Sequence, residues 1–137
     1  MGVILDTSVL IEAERGRLDL EAFIKDREQE PFGLSVIAAA ELIHGVYRAD
    51  SAARRRKRSA WVEKVLEVFP LFSFTLDAAR IYADIWAQLR TRGATIGAHD
   101  LIIGSTALAL GFSVATFNKR HFDRIEGLTL EMLNAGP

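Results

Sequence analysis

Apolar and polar residues alternate along this chain on two different periods. Val3-Ile4-Leu5, Phe32 to Ser35 and Ser113 to Phe117 are short runs closed by polar or turn residues, the form of strands buried on both faces of a parallel sheet. Leu71 to Phe74, interrupted by Ser73, predicts a short strand or extended link, and residues 127–131 suit a last edge strand. Between these runs the apolar positions recur every three to four residues. Helices are predicted from Thr7 to Glu14, over residues 18–29 with Pro31 as the break, and from Val36 to Ala49 with Ser35 as cap. Further helices are predicted from Ala52 to Val68, from Thr75 or Asp77 to Arg92, and from His99-Asp100 to Leu110. Thr7 and Ser8 supply capping hydroxyls, and Gly111 suits a left-handed C-terminal position. The alternation predicts an α/β fold, a three-layer α/β/α sandwich around a mainly parallel central sheet. A length of 137 residues without repeat or linker suits one domain, 1–137.

Composition narrows the chemistry. The chain has no cysteine, which excludes disulfides, zinc–thiolate sites and thiol nucleophiles. The formal net charge is −1, so bulk electrostatics alone argues for neither nucleic acid nor membrane. Its distribution is uneven: seven basic and two acidic residues between Arg48 and Lys64 give a local +5 and leave −6 for the remainder. The first residues lack the basic, apolar and small-residue regions of a signal peptide, so a cytoplasmic location is expected. The uncharged stretch from Leu101 to Phe117 is punctuated by Gly104, Ser105, Thr106, Gly111 and Ser113; it reads as a helix entering a buried strand, and no membrane association is expected.

Ligands of open parallel sheets bind beyond the carboxyl ends of the strands. Asp6 closes the first strand, Asn118 closes the strand from Ser113, and Asp100 opens the helix leading into that strand. Glu41 lies in the helix after the second strand. Each has a plain structural role available: Asp6 and Asp100 as helix caps, Asn118 as a turn residue. Glu41 interrupts the apolar stretch from Val36 to Ile43 and there needs a partner. Together these oxygens suit a hard cation such as Mg²⁺, which keeps waters and phosphate oxygens in its shell and can activate water against a phosphodiester.

Three segments carry a resemblance: ILDTSVLI (4–11), SVIAAAELIHG (35–45) and IGAHDLIIGSTALALGFSVATFN (96–118). In order, spacing and flanking residues they resemble the PIN-domain ribonucleases, and within them the VapC toxins of bacterial toxin–antitoxin pairs. The resemblance covers nearly the whole chain. It implies a Mg²⁺- or Mn²⁺-dependent endoribonuclease that leaves 5′-phosphate and 3′-hydroxyl ends on structured RNA such as tRNA or ribosomal RNA. It makes Asp6, Glu41 and Asp100 the metal-binding carboxylates, with Thr7 and Ser8 holding the first acid or a metal-bound water. Asn118 falls where many members have a fourth acid, and His121 where members with Asn there often have Asp or Glu. One amide in place of a carboxylate removes a negative charge, so one metal is expected, with a second arriving with the RNA phosphate. The resemblance further implies a VapB-type antitoxin presenting an arginine to the acidic site, and a homodimer through the apolar faces around Ile37, Ile43 and Tyr47 or Trp86.

The run Arg54 to Arg58 invites a nucleic-acid reading. Consecutive helical residues point all round the axis, so two or three of them, with Arg54, Arg55 and Arg58 the candidates, are expected to hold RNA. Trp61, Tyr82 and Trp86 suit either base stacking or packing. Two readings compete with a ribonuclease. One is a catalytically weakened PIN-like module that binds RNA or protein, the consequence if Asn118 removes activity. The other is a phosphotransfer domain using DTSVL as an aspartyl nucleophile, disfavoured because Ser8 stands where a second acid is needed.

Overall fold

A computed structural model of the chain describes residues 1–131 and residue 133; the rest of the expected 1–137 unit lies outside the described residues. Strands β1 (Val3–Leu5), β2 (Phe32–Ser35), β3 (Leu71–Phe72), β4 (Ser113–Ala115) and β5 (Leu130–Glu131) alternate with helices. The helices are α1 (Thr7–Glu14), α2 (Leu20–Lys25), α3 (Val36–Tyr47), α4 (Ala52–Val68), α5 (Leu76–Thr91), α6 (Ala98–Leu110) and α7 (Lys119–Phe122). The five strands form one sheet in the order β3-β2-β1-β4-β5, and every pairing is parallel.

That order sets where a ligand can bind. The chain winds outward from β1 through β2 to β3, then crosses back to place β4 on the other side of β1. The reversal between β1 and β4 opens a crevice at their carboxyl ends. Val3 pairs with Ser113, Ile4 with Val114 and Leu5 with Ala115, so the residues following Leu5 and Ala115 leave the sheet side by side.

Strand periodicity divides the core into the two expected layers. Val3, Leu5 and Leu34 face Val9 and Leu10 of α1, Leu42 of α3, and Val62 and Val65 of α4. Ile4 and Val114 face Ile85 and Leu89 of α5, Leu101 and Ile103 of α6, and Phe122 and Ile125. The stretch from Leu101 to Phe117 is a buried helix running into a buried strand, and among the described residues no helix is long and apolar enough to cross a membrane.

Most predicted elements form, with shorter ends. Helix α2 begins only at Leu20, because Asp19 accepts a hydrogen bond from the Ala22 amide and fixes the N-terminus there. Strand β4 stops at Ala115 because Thr116 turns its hydroxyl toward Asp6. Gly111 ends α6 at φ 72°, the left-handed conformation a glycine adopts without strain.

Strand β2 carries the chain directly into α3, and its position depends on Gly33. A Cβ there would lie 2.8 Å from the Pro70 carbonyl oxygen and 2.3 Å from the Phe72 ring. Gly33→Ala is therefore expected to destabilise the protein by about 1–3 kcal/mol through overpacking. Urea unfolding checks this; an unchanged midpoint would mean that β2 and β3 separate without cost.

Candidate active site

Asp6 occupies the N-cap position of α1, yet its side chain makes no cap hydrogen bond. The residue is 3% exposed. Its Oδ2 accepts two hydrogen bonds, from Ser8 Oγ at 2.8 Å and from Thr116 Oγ1 at 2.7 Å. Each hydroxyl has one proton to give, so both are committed to the same oxygen. The two hydroxyls also accept: Ser8 Oγ from the Phe117 amide at 3.0 Å and Thr116 Oγ1 from the Asn118 amide at 2.8 Å. This closed set ties the end of β1 to the end of β4 and leaves Oδ1 with no hydrogen-bond donor among the described residues. Ser8 thus supports the first acid, while the capping role assigned to its hydroxyl and to that of Thr7 is not found. Both are drawn to carboxylates, which are stronger acceptors than a helix end needs.

Thr7 Oγ1 donates to Glu41 Oε1 at 2.8 Å, linking α1 to the sixth residue of α3. The other Glu41 oxygen lies 3.5 Å from His99 Nδ1. Glu41 therefore has the partners its place among apolar residues demanded. Asp100, in the first turn of α6, has its Oδ2 2.9 Å from His121 Nδ1. Burial pushes the Asp100 carboxyl above the usual range, and the negative charge of Asp6 pushes the same way. The hydrogen bond to His121 and its positive charge pull in the opposite direction, while Glu41 adds a smaller upward push. Three carboxylates from β1, α3 and α6 thus feel one another at the mouth of the β1–β4 crevice.

The pattern described as PIN domain matches residues 3–128. The chain belongs to the PIN domain family. It is 35% identical to Ribonuclease VapC1 of Rickettsia felis over 131 residues, covering 93% of each chain. It is 36% identical to VapC ribonuclease Y4jK of Sinorhizobium fredii, covering 96% of each. Among solved structures it is similar to FitAcB from Neisseria gonorrhoeae, at a TM-score of 0.84 and 27% identity over 95% of this chain and 96% of that one. It is also similar to VapBC-5, a member of the VapBC family of toxin–antitoxin systems from Mycobacterium tuberculosis, at a TM-score of 0.76 and 29% identity, covering 98% and 100%.

A PIN domain implies a divalent metal, and the donors present fit one. All three are carboxylates, the ligand type of hard cations. One oxygen of Asp6 is free of protein donors, and Asp100, raised first by burial and then by the charge of Asp6, would gain from a positive charge between the acids. Among the described residues no three His, Asp or Glu side chains are drawn close enough to clasp an ion as they stand.

Of the remaining sequence candidates, Asn118 is exposed at the N-cap of α7 without a side-chain cap bond, and His121 reaches Asp100. Arg54 is held by both oxygens of Asp50 and is largely exposed. Arg55 donates to the Ala49 carbonyl, and Arg58 to the Gly45 carbonyl, so both tie α4 to the end of α3. Thr116 and His99 escaped the sequence reading. The pattern places Thr116 inside the run from Ser113 to Phe117, and its spacing from Asp6 gives no cue to their contact; His99 stands beside an acid already singled out.

Thr116→Val keeps the shape and removes two hydrogen bonds at a buried carboxylate. It is expected to cost about 1–3 kcal/mol, read by chemical denaturation; wild-type stability would mean the Asp6 tether is dispensable. Asp100 behaves oppositely. Its folded-state pKa lies above the unfolded one, so its charge costs stability as pH rises through the folded value and costs nothing below the unfolded value. In chelator at pH 7, Asp100→Asn is expected to raise the melting temperature, and the gain should disappear as pH falls below the ordinary aspartate range of about 3.9, where the carboxyl is neutral in the folded and the unfolded chain alike. A lower melting temperature at pH 7 would refute the repulsion.

Proposed function

We propose that this chain is a VapC-type toxin: a metal-dependent endoribonuclease that cuts RNA of the translation machinery until a small antitoxin neutralises it. The observation that carries this reading is the buried Asp6 carboxylate, pinned through one oxygen by Ser8 and Thr116 with the other left free, in a PIN chain where the charges of Asp6 and Glu41 both act on Asp100. The named relatives are ribonucleases, and the solved neighbours include a toxin–antitoxin system; both support it.

Asp6, Glu41 and Asp100 would hold Mg²⁺ or Mn²⁺, and the bound ion would supply Lewis acidity to a phosphate oxygen and acidity to a water. The protein's part is positioning. Ser8 and Thr116 fix the rotamer of Asp6, Thr7 fixes Glu41, and His121 fixes Asp100, so each acid is held in place before an ion draws the three together. His121 and His99, both exposed at the rim, are within reach of a phosphate entering the crevice, and Asn118 offers an amide at the same edge. The substrate must present a single-stranded or splayed segment, because an A-form major groove does not admit these side chains. Loops of tRNA or ribosomal RNA meet that requirement.

An acidic crevice also attracts a cationic side chain, which is how a VapB-type antitoxin would block it. Of the residues expected to close a homodimer, Ile43 and Tyr47 on α3 and Trp86 on α5 are exposed, with Val36 beside them in sequence on α3, while Ile37 packs partly buried against the core; the exposed residues would supply the apolar contact. The chain would act as one PIN unit in the cytoplasm.

Purified protein is expected to cut RNA with Mg²⁺ or Mn²⁺ and to stop in EDTA. Asp6→Asn and Asp100→Asn should each lose activity by about a hundredfold or more with unchanged circular dichroism. Either ion should raise the melting temperature of the wild type more than that of the variants. RNA bound but never cut under any divalent ion would instead favour the binding module that Asn118 makes conceivable.

A further inference from the structure

Beside the acids lies a cleft that shares Thr7 and Glu41 with them and extends beyond the metal site. Between α1, α3 and the first half of α4 there is a cleft of about 90 Å³, walled at its inner end by Thr7 and Glu41 and flanked further out by Arg15, Arg48 and Arg58. We propose that this cleft is a subsite for one backbone phosphate of the RNA, adjacent to the phosphate being cut, with Arg15 and Arg48 as its cationic walls. The proposal rests on the RNA-cleaving reading above.

Charge accounting inside the cleft singles out these two arginines. Its acids are Glu14 and Glu41. Glu14 is met by Arg58 Nε at 3.4 Å, and Arg58 Nη1 donates to the Gly45 carbonyl at 2.9 Å, so Arg58 is committed to holding α4 against α1 and α3. Glu41 belongs to the acid cluster, with Thr7 and His99 as neighbours. Arg15 has only a long, exposed contact with Glu12 at 3.8 Å. Arg48, exposed at the end of α3, has no ion pair among the described residues. Two uncommitted guanidiniums therefore stand next to an acidic site that must receive a polyanion. The cleft is small, open at one end to the acids, and suited to a single tetrahedral oxyanion rather than to a helix or an apolar side chain.

Gly45 supplies the second line of argument. It is buried in the interior of α3, where glycine costs about 1 kcal/mol relative to alanine. Packing does not demand it: a Cβ there would meet only Arg58 Cδ, at 3.9 Å, an ordinary contact. What the missing side chain provides is an open wall, since Gly45 lines the cleft. A Cβ at this position would narrow the cleft where α3 borders the two free arginines, and glycine leaves that wall open.

The test uses the full-length protein and a single-stranded RNA oligonucleotide spanning a site that the wild type cuts in total cellular RNA. Arg15→Gln combined with Arg48→Gln is expected to raise KM about tenfold with kcat within about twofold. The slope of log(kcat/KM) against log salt should flatten by about 0.7, the loss of one single-strand phosphate contact. Arg48→Lys should restore part of the affinity. Replacing phosphates one at a time by uncharged methylphosphonate should reveal one linkage beside the scissile bond that raises KM in the wild type and has no further effect in the double variant. Gly45→Ala should melt at a higher temperature and yet show a raised KM. If the wild type cuts RNA and the double variant keeps its KM and salt slope, the subsite is refuted while the ribonuclease reading stands. Unchanged RNA kinetics with weakened antitoxin binding would refute it equally and assign the cleft to a protein. A wild type that cuts no RNA overturns both readings, and that failure is seen before any variant is made.

Discussion

A carboxylate withdrawn from water at the end of a buried strand is tolerable only where its charge is answered, and Asp6 is answered from one side. Ser8 and Thr116 both donate to Oδ2, so half of the carboxylate is satisfied by protein and the other half has no donor among the described residues. This half-satisfaction follows from topology. Parallel pairing of Leu5 with Ala115 brings residue 6 and residue 116 out of the sheet together, and the reversal of strand order at that pair prevents a helix from covering them. The same hydroxyls take the Phe117 and Asn118 amides, so the backbone that ends β4 is organised by the group it presents to the site.

The other acids depend on that anchor from a distance. Glu41 is steered by Thr7, the neighbour of Asp6, and Asp100 arrives on α6, whose buried face packs under β1 and β4. Because the three acids come from separate elements, folding takes Asp100 out of water and sets it near two like charges, and its pKa rises, chiefly through burial and then through Asp6. Sites that bind divalent ions hold such tension in the absence of metal, since ligands that repel one another gain most from the ion.

Much of this was legible in the residues. The runs Val3 to Leu5 and Ser113 to Phe117 declared buried parallel strands, and the polar residues at their ends marked the edge where chemistry belongs. Helix limits were less legible where side chains override propensity: Asp19 starts α2 late, and Thr116 ends β4 early. The hydroxyls of Thr7 and Ser8 have the sequence signature of caps, and only the spatial approach of Glu41 and Asp6 redirects them. Thr116 and His99 were missed for a related reason. A hydroxyl or imidazole has no fixed role until its partner is known, and those partners lie 110 and 58 positions away in the chain. The basic run posed the reverse difficulty. Five consecutive cations suggest one function, but the fold sends Arg54 to Asp50, Arg55 to Ala49 and Arg58 to Gly45 and Glu14.

That dispersal explains how a chain of net charge −1 can approach a polyanion. An acidic site repels phosphate until metal is bound, and at physiological salt the repulsion reaches only about 8 Å. Cations within that distance matter more than the total. Arg58 spends its charge on Glu14 and on the backbone of α3, which keeps the basic helix locked beside the acids rather than swinging free. Arg15 and Arg48 then stand at the border of Glu41 with their charges uncommitted. The basic segment is therefore chiefly scaffold: its inner residues fix the wall of the cleft, and Arg48 at its start, with Arg15 from the end of α1, keeps an uncommitted charge there.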